Sequence, residues 1–298
     1  MYSVFHIVTF FCFVVFILWH ASLATVLFVV GTVNILGTIY NTIWYHRFCS
    51  HASMKLRRDQ YTKFFLWSNP LLLREECYAI PHRIHHQRAE KPGDPYGPHL
   101  GWLGSYLAAE SSQKINTSIS EKEYNSLIQS LKHIPIPVNS YEDFLKTASV
   151  ENPLHYFLRT LLSQVLWALV IFVVGGHSYL LAWYSAIFST TFLMRDFNWR
   201  GHGGNFRHHK IKGWEFDTKT FALNQRFYGY LAGEWHDNHH KYPFSANNGF
   251  LPGQIDIAFQ IVKLLHRLGI VESYVDAKPQ FEKECLGISS GKALVVGK

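Results

Sequence analysis

Four long apolar runs constrain this chain more than any other feature of its sequence. VFHIVTFFCFVVFILW covers about 4–19 and LATVLFVVGTVNILGTIYNTIWY about 23–45, with only HAS between them. FLRTLLSQVLWALVIFVVG covers about 157–175 and SYLLAWYSAIFSTTFLMR about 178–195, joined through Gly176 and His177. Each run approaches the ~20 residues with which a helix crosses a ~30 Å hydrocarbon core. They read as four spans in two tight hairpins. The other reading of the first run is a cleaved signal peptide, with ASLA as its processing site. Residues 1–5 hold no Lys or Arg, however, and the apolar stretch outruns a signal core, so a retained span is expected.

Composition agrees, because only 16% of the residues are charged against ~25% in ordinary soluble domains, while 48% are hydrophobic. No Lys or Arg precedes Arg47, and all but two of the 28 basic residues fall in 46–156 and 196–298. The positive-inside rule puts both segments in the cytoplasm, and an even number of spans puts the N-terminus there too. The connection 46–156 is too long for a structureless loop and is expected to fold with 196–298 into one cap. A formal charge of +7 suits a surface lying on anionic head groups or receiving an acidic partner. No nucleic-acid-binding module is recognisable. Cys12, Cys49, Cys77 and Cys285 are scattered without a C-x-x-C pair and are expected to stay reduced.

Within the cap, YTKFFLWSNPLLL at 61–73 is apolar, broken by Pro70 and too short to cross, which suits interfacial or re-entrant placement. SEKE at 120–123 reads as a capping box opening a solvated helix that PIP ends. IDIAFQIVKLLHRLG puts Asp256, Gln260, Lys263 and Arg267 on one polar stripe of an amphipathic helix stopped at Gly269.

The chemistry sits in three histidine groups: HRFCSH at 46–51, HRIHH at 82–86 and HDNHH at 236–240. In H-x-x-H-H the three rings share one helical face and converge. In HRFCSH five α-helical positions amount to roughly 500° of rotation, which leaves His46 and His51 on different sides, each free to serve a different metal. Hydrogen-bonding or surface roles explain a single histidine well but not this set. Eight imidazoles exceed one tetrahedral site, so two metal ions are the natural count, with Zn, Cu, Fe and Ni all suited to imidazole. A transporter would place such ligands inside its spans, which hold only His6, Arg159 and Arg195 among ionisable groups of this kind. Asp237 and Glu234 are placed to fix ring tautomers from behind the ligands.

Distributed around two pairs of apolar runs, the three groups resemble the histidine boxes of the membrane fatty acid desaturases, with the stearoyl-CoA delta-9 type nearest. GEWHDNHHKYPF is similar to that family's G-E-x-x-H-N-x-H-H segment followed by an aromatic residue and Pro, Asn224 falls where the family has an Asn, and NWRGH supplies its N-x-x-x-H element. The resemblance implies two Fe2+ ions bound by His46, His51, His82, His85, His86, His202, His236, His239 and His240, with Asn198 holding one through water. It also implies O2-dependent introduction of a double bond into a long acyl chain, carried as acyl-CoA or acyl-lipid. The iron centre carries the chemistry, with no separate acid or base assigned. A membrane hydroxylase uses nearly the same machinery, and a non-enzymatic metal-binding or transport protein is the reading from another class.

The fold implied is an all-α integral membrane protein, one domain over 1–298. It has four transmembrane helices in two hairpins and a helical cytoplasmic cap holding a dinuclear site. No HPGG stretch is present, so electrons are expected from a separate cytochrome b5 or ferredoxin. The membrane expected is a bacterial inner membrane ahead of the endoplasmic reticulum. Departures from the family pattern are Trp199 and Arg200 in NWRGHGGNF, the stretch REECYAIP before the second box, and a shortened link after GDPYGPHLGW. The nine other histidines, at 6, 20, 99, 133, 155, 177, 208, 209 and 266, match no motif.

Overall fold

The computed structural model describes residues 2–89, 91, 93–95, 100–107, 115–201, 235–288 and 292–297. Helix α1 (Tyr2–Val15) runs into a π-helical turn, Phe16–His20, and α2 (Leu23–Ile35) into a longer π-helix, Leu36–Ser50. Ser22 starts α2 with a capping box, its hydroxyl accepting from Thr25 N–H while the Thr25 side chain accepts from Ser22 N–H. Then follow β1 (Met54–Leu56), α3 (Asp59–Ser68), α4 (Glu75–Arg88), α5 (Gly101–Leu107), α6 (Glu121–Leu131), α7 (Tyr141–Thr147) and α8 (Pro153–Gly201). The C-terminal part holds α9 (His236–Lys241), α10 (Ile257–Arg267), β2 (Val271–Asp276), α11 (Lys278–Leu286) and β3 (Leu294–Val296).

Two helices among the described residues, Leu23–Ser50 and Pro153–Trp199, are long and apolar enough to cross a membrane; Val4–His20 is a shorter apolar helix. Gly176 interrupts α8 with φ 67° and ψ −162°, a conformation open essentially to glycine alone. Both α1 and α2 pack on α8. Large apolar side chains point outward along these helices, among them Ile7, Phe11, Leu27, Leu161 and Val173, as a lipid-facing surface requires.

The molecule is mostly helical rather than all-α. A three-stranded antiparallel sheet of order β1-β2-β3 ties the end of the Leu36–Ser50 helix to the C-terminus, pairing Met54 with Tyr274 and Tyr274 with Val296. Two of its strands have three residues each, too short for a period-two pattern to stand out in sequence. The third, VESYVD, is legible only beside its partners.

Leu36–Ser50 is the centre of the core, with every residue but Ile39 buried. Its C-terminal carbonyls are met by side chains: Arg83 Nε donates to Ser50 O at 2.6 Å and Arg83 Nη2 to Cys49 O at 3.1 Å. Arg47 forms a wholly buried ion pair with Asp256 at 2.7 Å and donates to the carbonyl of Ala246. Asp256 also caps α10 by accepting from Phe259 N–H at 2.8 Å. It therefore belongs to the core, not to a solvated stripe, because it precedes the helix instead of lying within it. Helix α10 buries Ala258, Phe259 and Val262 against the cap and ends at Gly269, whose φ is +76°. The capping box at Ser120–Glu123 forms as the sequence implies.

The 61–73 stretch docks on α8. After α3 the chain turns at Asn69 and Pro70, and four carbonyls freed there are taken up by α8 side chains. Arg159 Nη1 donates to Leu66 O at 3.0 Å, Trp167 Nε1 to Ser68 O at 2.7 Å, Ser163 Oγ to Asn69 O at 2.9 Å and Gln164 Nε2 to Pro70 O at 2.6 Å.

Candidate metal centre

The π-helical winding of Leu36–Ser50 decides the first histidine group. Its hydrogen bonds run from residue i+5 back to i, and His51 N–H donates to His46 O at 3.2 Å. Five positions thus make about one turn, and the His46 and His51 rings lie 5.0 Å apart on the same side. The expectation that the two rings lie on different sides of the helix is corrected: it assumed α-helical pitch.

Helix α4 carries His82, His85 and His86, and the short helix α9 carries His236, His239 and His240. The three elements meet. Ligating atoms of His46, His51, His82, His86 and His239 all lie within 4.8 Å of one another. Beyond this group, the His240 ring is 4.4 Å from His86, 5.3 Å from His85 and 4.5 Å from His236. All eight imidazoles of the three sequence groups therefore form one continuous cluster. Asn198 lies on α8 next to Phe197, whose ring is 5.0 Å from His236. His202, Asn224 and Glu234 lie outside the described residues, as does the side chain of Asp237.

No family model matches the chain. Curated relatives do. Acyl-CoA 5-desaturase AL21 of Anemone leveillei is 26% identical over 277 residues, covering 84% of this chain and 73% of its own length. The sn-2 palmitoyl-lipid 9-desaturase of Nostoc sp. (strain 36) is 24% identical over 253 residues, covering 82% of this chain and 79% of its own. The palmitoyl-monogalactosyldiacylglycerol delta-7 desaturase of Arabidopsis thaliana is 26% identical over 254 residues, covering 80% of this chain and 59% of its own.

The chain is a relative of the fatty acid desaturases.

For a desaturase relative the donor set fits a bound metal. His51, His82, His86 and His239 are all held well below the ordinary imidazole pKa, chiefly because burial penalises the charged form and secondly because of neighbouring cationic or imidazole groups. Neutral rings keep the lone pair that a metal needs. The ring nitrogens crowd further than hydrogen bonding explains. His82 Nε2 is 3.1 Å from His86 Nε2, which is 2.8 Å from His239 Nε2, which is 2.9 Å from His46 Nε2. Each Nε2 has one in-plane proton or one lone pair, so at most two of these three contacts are hydrogen bonds. His51 Nε2 is buried with no hydrogen-bond partner. A cation among these atoms would satisfy both.

Asp94 was not legible as part of this site. Its Oδ1 accepts from His85 Nδ1–H at 2.9 Å with both side chains buried, which leaves Nε2 as the basic nitrogen. The signal available was an acidic residue in GDPYG shortly after the second box, in a stretch otherwise readable only as a turn.

Proposed function

We propose that this desaturase relative is an integral-membrane fatty acid desaturase that uses O2 to introduce a double bond into a long acyl chain held as acyl-CoA or acyl-lipid. The observation that carries this reading is the convergence of five neutral imidazoles from three distant segments, in a chain whose relatives are named for that reaction. We assign two irons, held by His46, His51, His82, His85, His86, His202, His236, His239 and His240, with Asn198 acting through water. Iron so held supplies the O2 reduction and hydrogen abstraction that unactivated methylenes demand and side chains cannot provide. Overall, a –CH2–CH2– pair, O2, two electrons and two protons become –CH=CH– and two waters.

The chain's own residues supply the setting. Imidazoles kept neutral add no positive charge to the cluster, and Asp94 holds His85 in one tautomer and orientation. Apolar walls from the spans and from Phe64–Trp67 suit a long alkyl chain, whose methylenes are alike and are told apart only by where they are held.

Four spans at about 4–19, 23–45, 157–175 and 178–195 are the topology we favour, with both termini cytoplasmic. Gly176 supports it, and so does the stacking of Trp167 on Trp183 at 4.9 Å. In an unbroken helix those two positions stand ~24 Å apart. Electrons come from an external cytochrome b5 or ferredoxin, for which the basic cap is a suitable surface.

Mass spectrometry of lipids from cells expressing the chain tests this reading. New unsaturated acyl chains are expected, absent from a His239→Ala control; identical profiles in the two would overturn it.

A further inference from the structure

The helix that carries His82, His85 and His86 begins in a second buried polar group, to which the proposed chemistry gives no role. Arg159, on α8, donates from Nη2 to Glu75 Oε2 at 2.8 Å and to Glu151 Oε2 at 2.9 Å, with all three side chains at 3% exposure or less. Glu75 opens α4, about two turns before His82 and on the same side of that helix. Its other oxygen accepts from Trp44 Nε1–H at 3.1 Å and from Asn69 Nδ2 at 3.3 Å. Trp44 lies two residues before His46 on the π-helix. Arg159 also holds the carbonyl of Leu66 at the end of α3. One guanidinium thus joins α8, α3, α4 and, through Glu75, the helix of His46 and His51.

Such a group is expensive. Two carboxylates share one cation out of water, and burial pushes the Glu151 carboxyl up to about 7 against the pull of Arg159. Buried ion triads of this kind are often replaceable by apolar residues without loss of stability, so their best-attested use is to fix one register among several. The register at stake is visible here. A slip of α4 by one residue along the π-helix would break the contacts of Glu75 with Trp44 and Arg159 together. It would also carry His82 and His86 around the helix by ~100°, away from His46 and His239.

We propose that Arg159 and Glu75, with Glu151, are positioning residues that pin the helix of His46 and His51 to the helix of His82, His85 and His86, and so set the imidazole spacing of the cluster. The part of this concerning metal affinity rests on the metal-binding reading above; the part concerning helix register does not.

The test uses the full chain in detergent micelles, as wild type, Glu75→Gln, and the charge-free Arg159→Met/Glu75→Gln/Glu151→Gln, which leaves no orphaned ion. Cobalt(II) titration, cobalt absorption spectra, thermal unfolding and amide hydrogen exchange are compared. The charge-free variant is expected to unfold at or above the wild-type temperature, to bind cobalt at least ~10-fold more weakly with an altered spectrum, and to exchange at least ~10-fold faster over 36–50 and 75–88 while 257–267 is unchanged. Unchanged cobalt affinity, spectrum and exchange in that variant would overturn the proposal. Should it fail to fold, the same comparison on Glu75→Gln decides, with the same signs and smaller changes. Wild type that takes up no cobalt would refute the metal reading alone, and the exchange rates would still decide the pin.

Discussion

His46 Nε2 lies 2.9 Å from His239 Nε2, across 193 positions of sequence. Two neutral imidazoles gain at most one hydrogen bond from this approach, and His239 Nε2 has a second nitrogen, that of His86, at 2.8 Å. The fold holds these rings together through elements whose own packing is independent of any metal: the buried Arg47–Asp256 pair, the Arg159 group and the docking of α4 on the Leu36–Ser50 helix.

Replacing Asp94 by Asn removes the carboxylate that orients His85. We expect a ~10–100-fold loss of metal affinity with the fold retained, and partial recovery in Asp94→Glu. Metal titration followed by thermal unfolding of the metal-free variants checks this; wild-type affinity in Asp94→Asn would remove Asp94 from the site.

Asp256→Ala removes a helix cap and leaves the Arg47 guanidinium buried without its ion-pair partner. A destabilisation of ~3–5 kcal/mol is expected, well beyond the ~1 kcal/mol of a cap alone. Denaturant unfolding in micelles measures it, and a loss near the cap value alone would mean that Arg47 is satisfied by other groups, such as the Ala246 carbonyl.

The three histidine groups were legible because their spacing is local: H-x-x-H-H announces convergence on any helix. What joins them was less so. The placing of His46 beside His51 depends on a π-helical pitch, and no residue in LGTIYNTIWYHRFCS signals that winding. Asp256 read as one polar residue in a helical stripe, whereas its role as cap and core ion comes from a partner more than 200 positions away. The capping box at Ser120 and the stop at Gly269 were readable for the opposite reason, since both are settled within a few residues. The small sheet is not legible in the sequence because its short strands carry meaning only when paired.

Acid should loosen the metal-free protein. His51, His82, His86 and His239 have folded-state pKa values well below the ~6.5 of an unfolded chain, so below that pH the unfolded state binds more protons and stability falls. Above about pH 7 these groups are neutral in both states and contribute no slope. Because the raised Glu151 carboxyl takes up a proton near pH 7 in wild type and variant alike, the rings are read from the difference: the metal-free unfolding temperatures of wild type and His239→Ala are expected to run parallel from pH 8 to 7, and wild type to fall more steeply between pH 6.5 and 5. Parallel profiles of wild type and His239→Ala through that acidic window would contradict the burial of His239.

Imidazoles from three distant segments meet in one cluster, and we propose that they share two redox-active ions. Elemental analysis of the purified full chain, loaded anaerobically with Fe(II) and freed of excess, tests it most directly. About two irons per chain are expected in wild type, with a clear loss in a His239→Ala variant that still folds. Wild-type protein that folds yet retains no transition metal would contradict it.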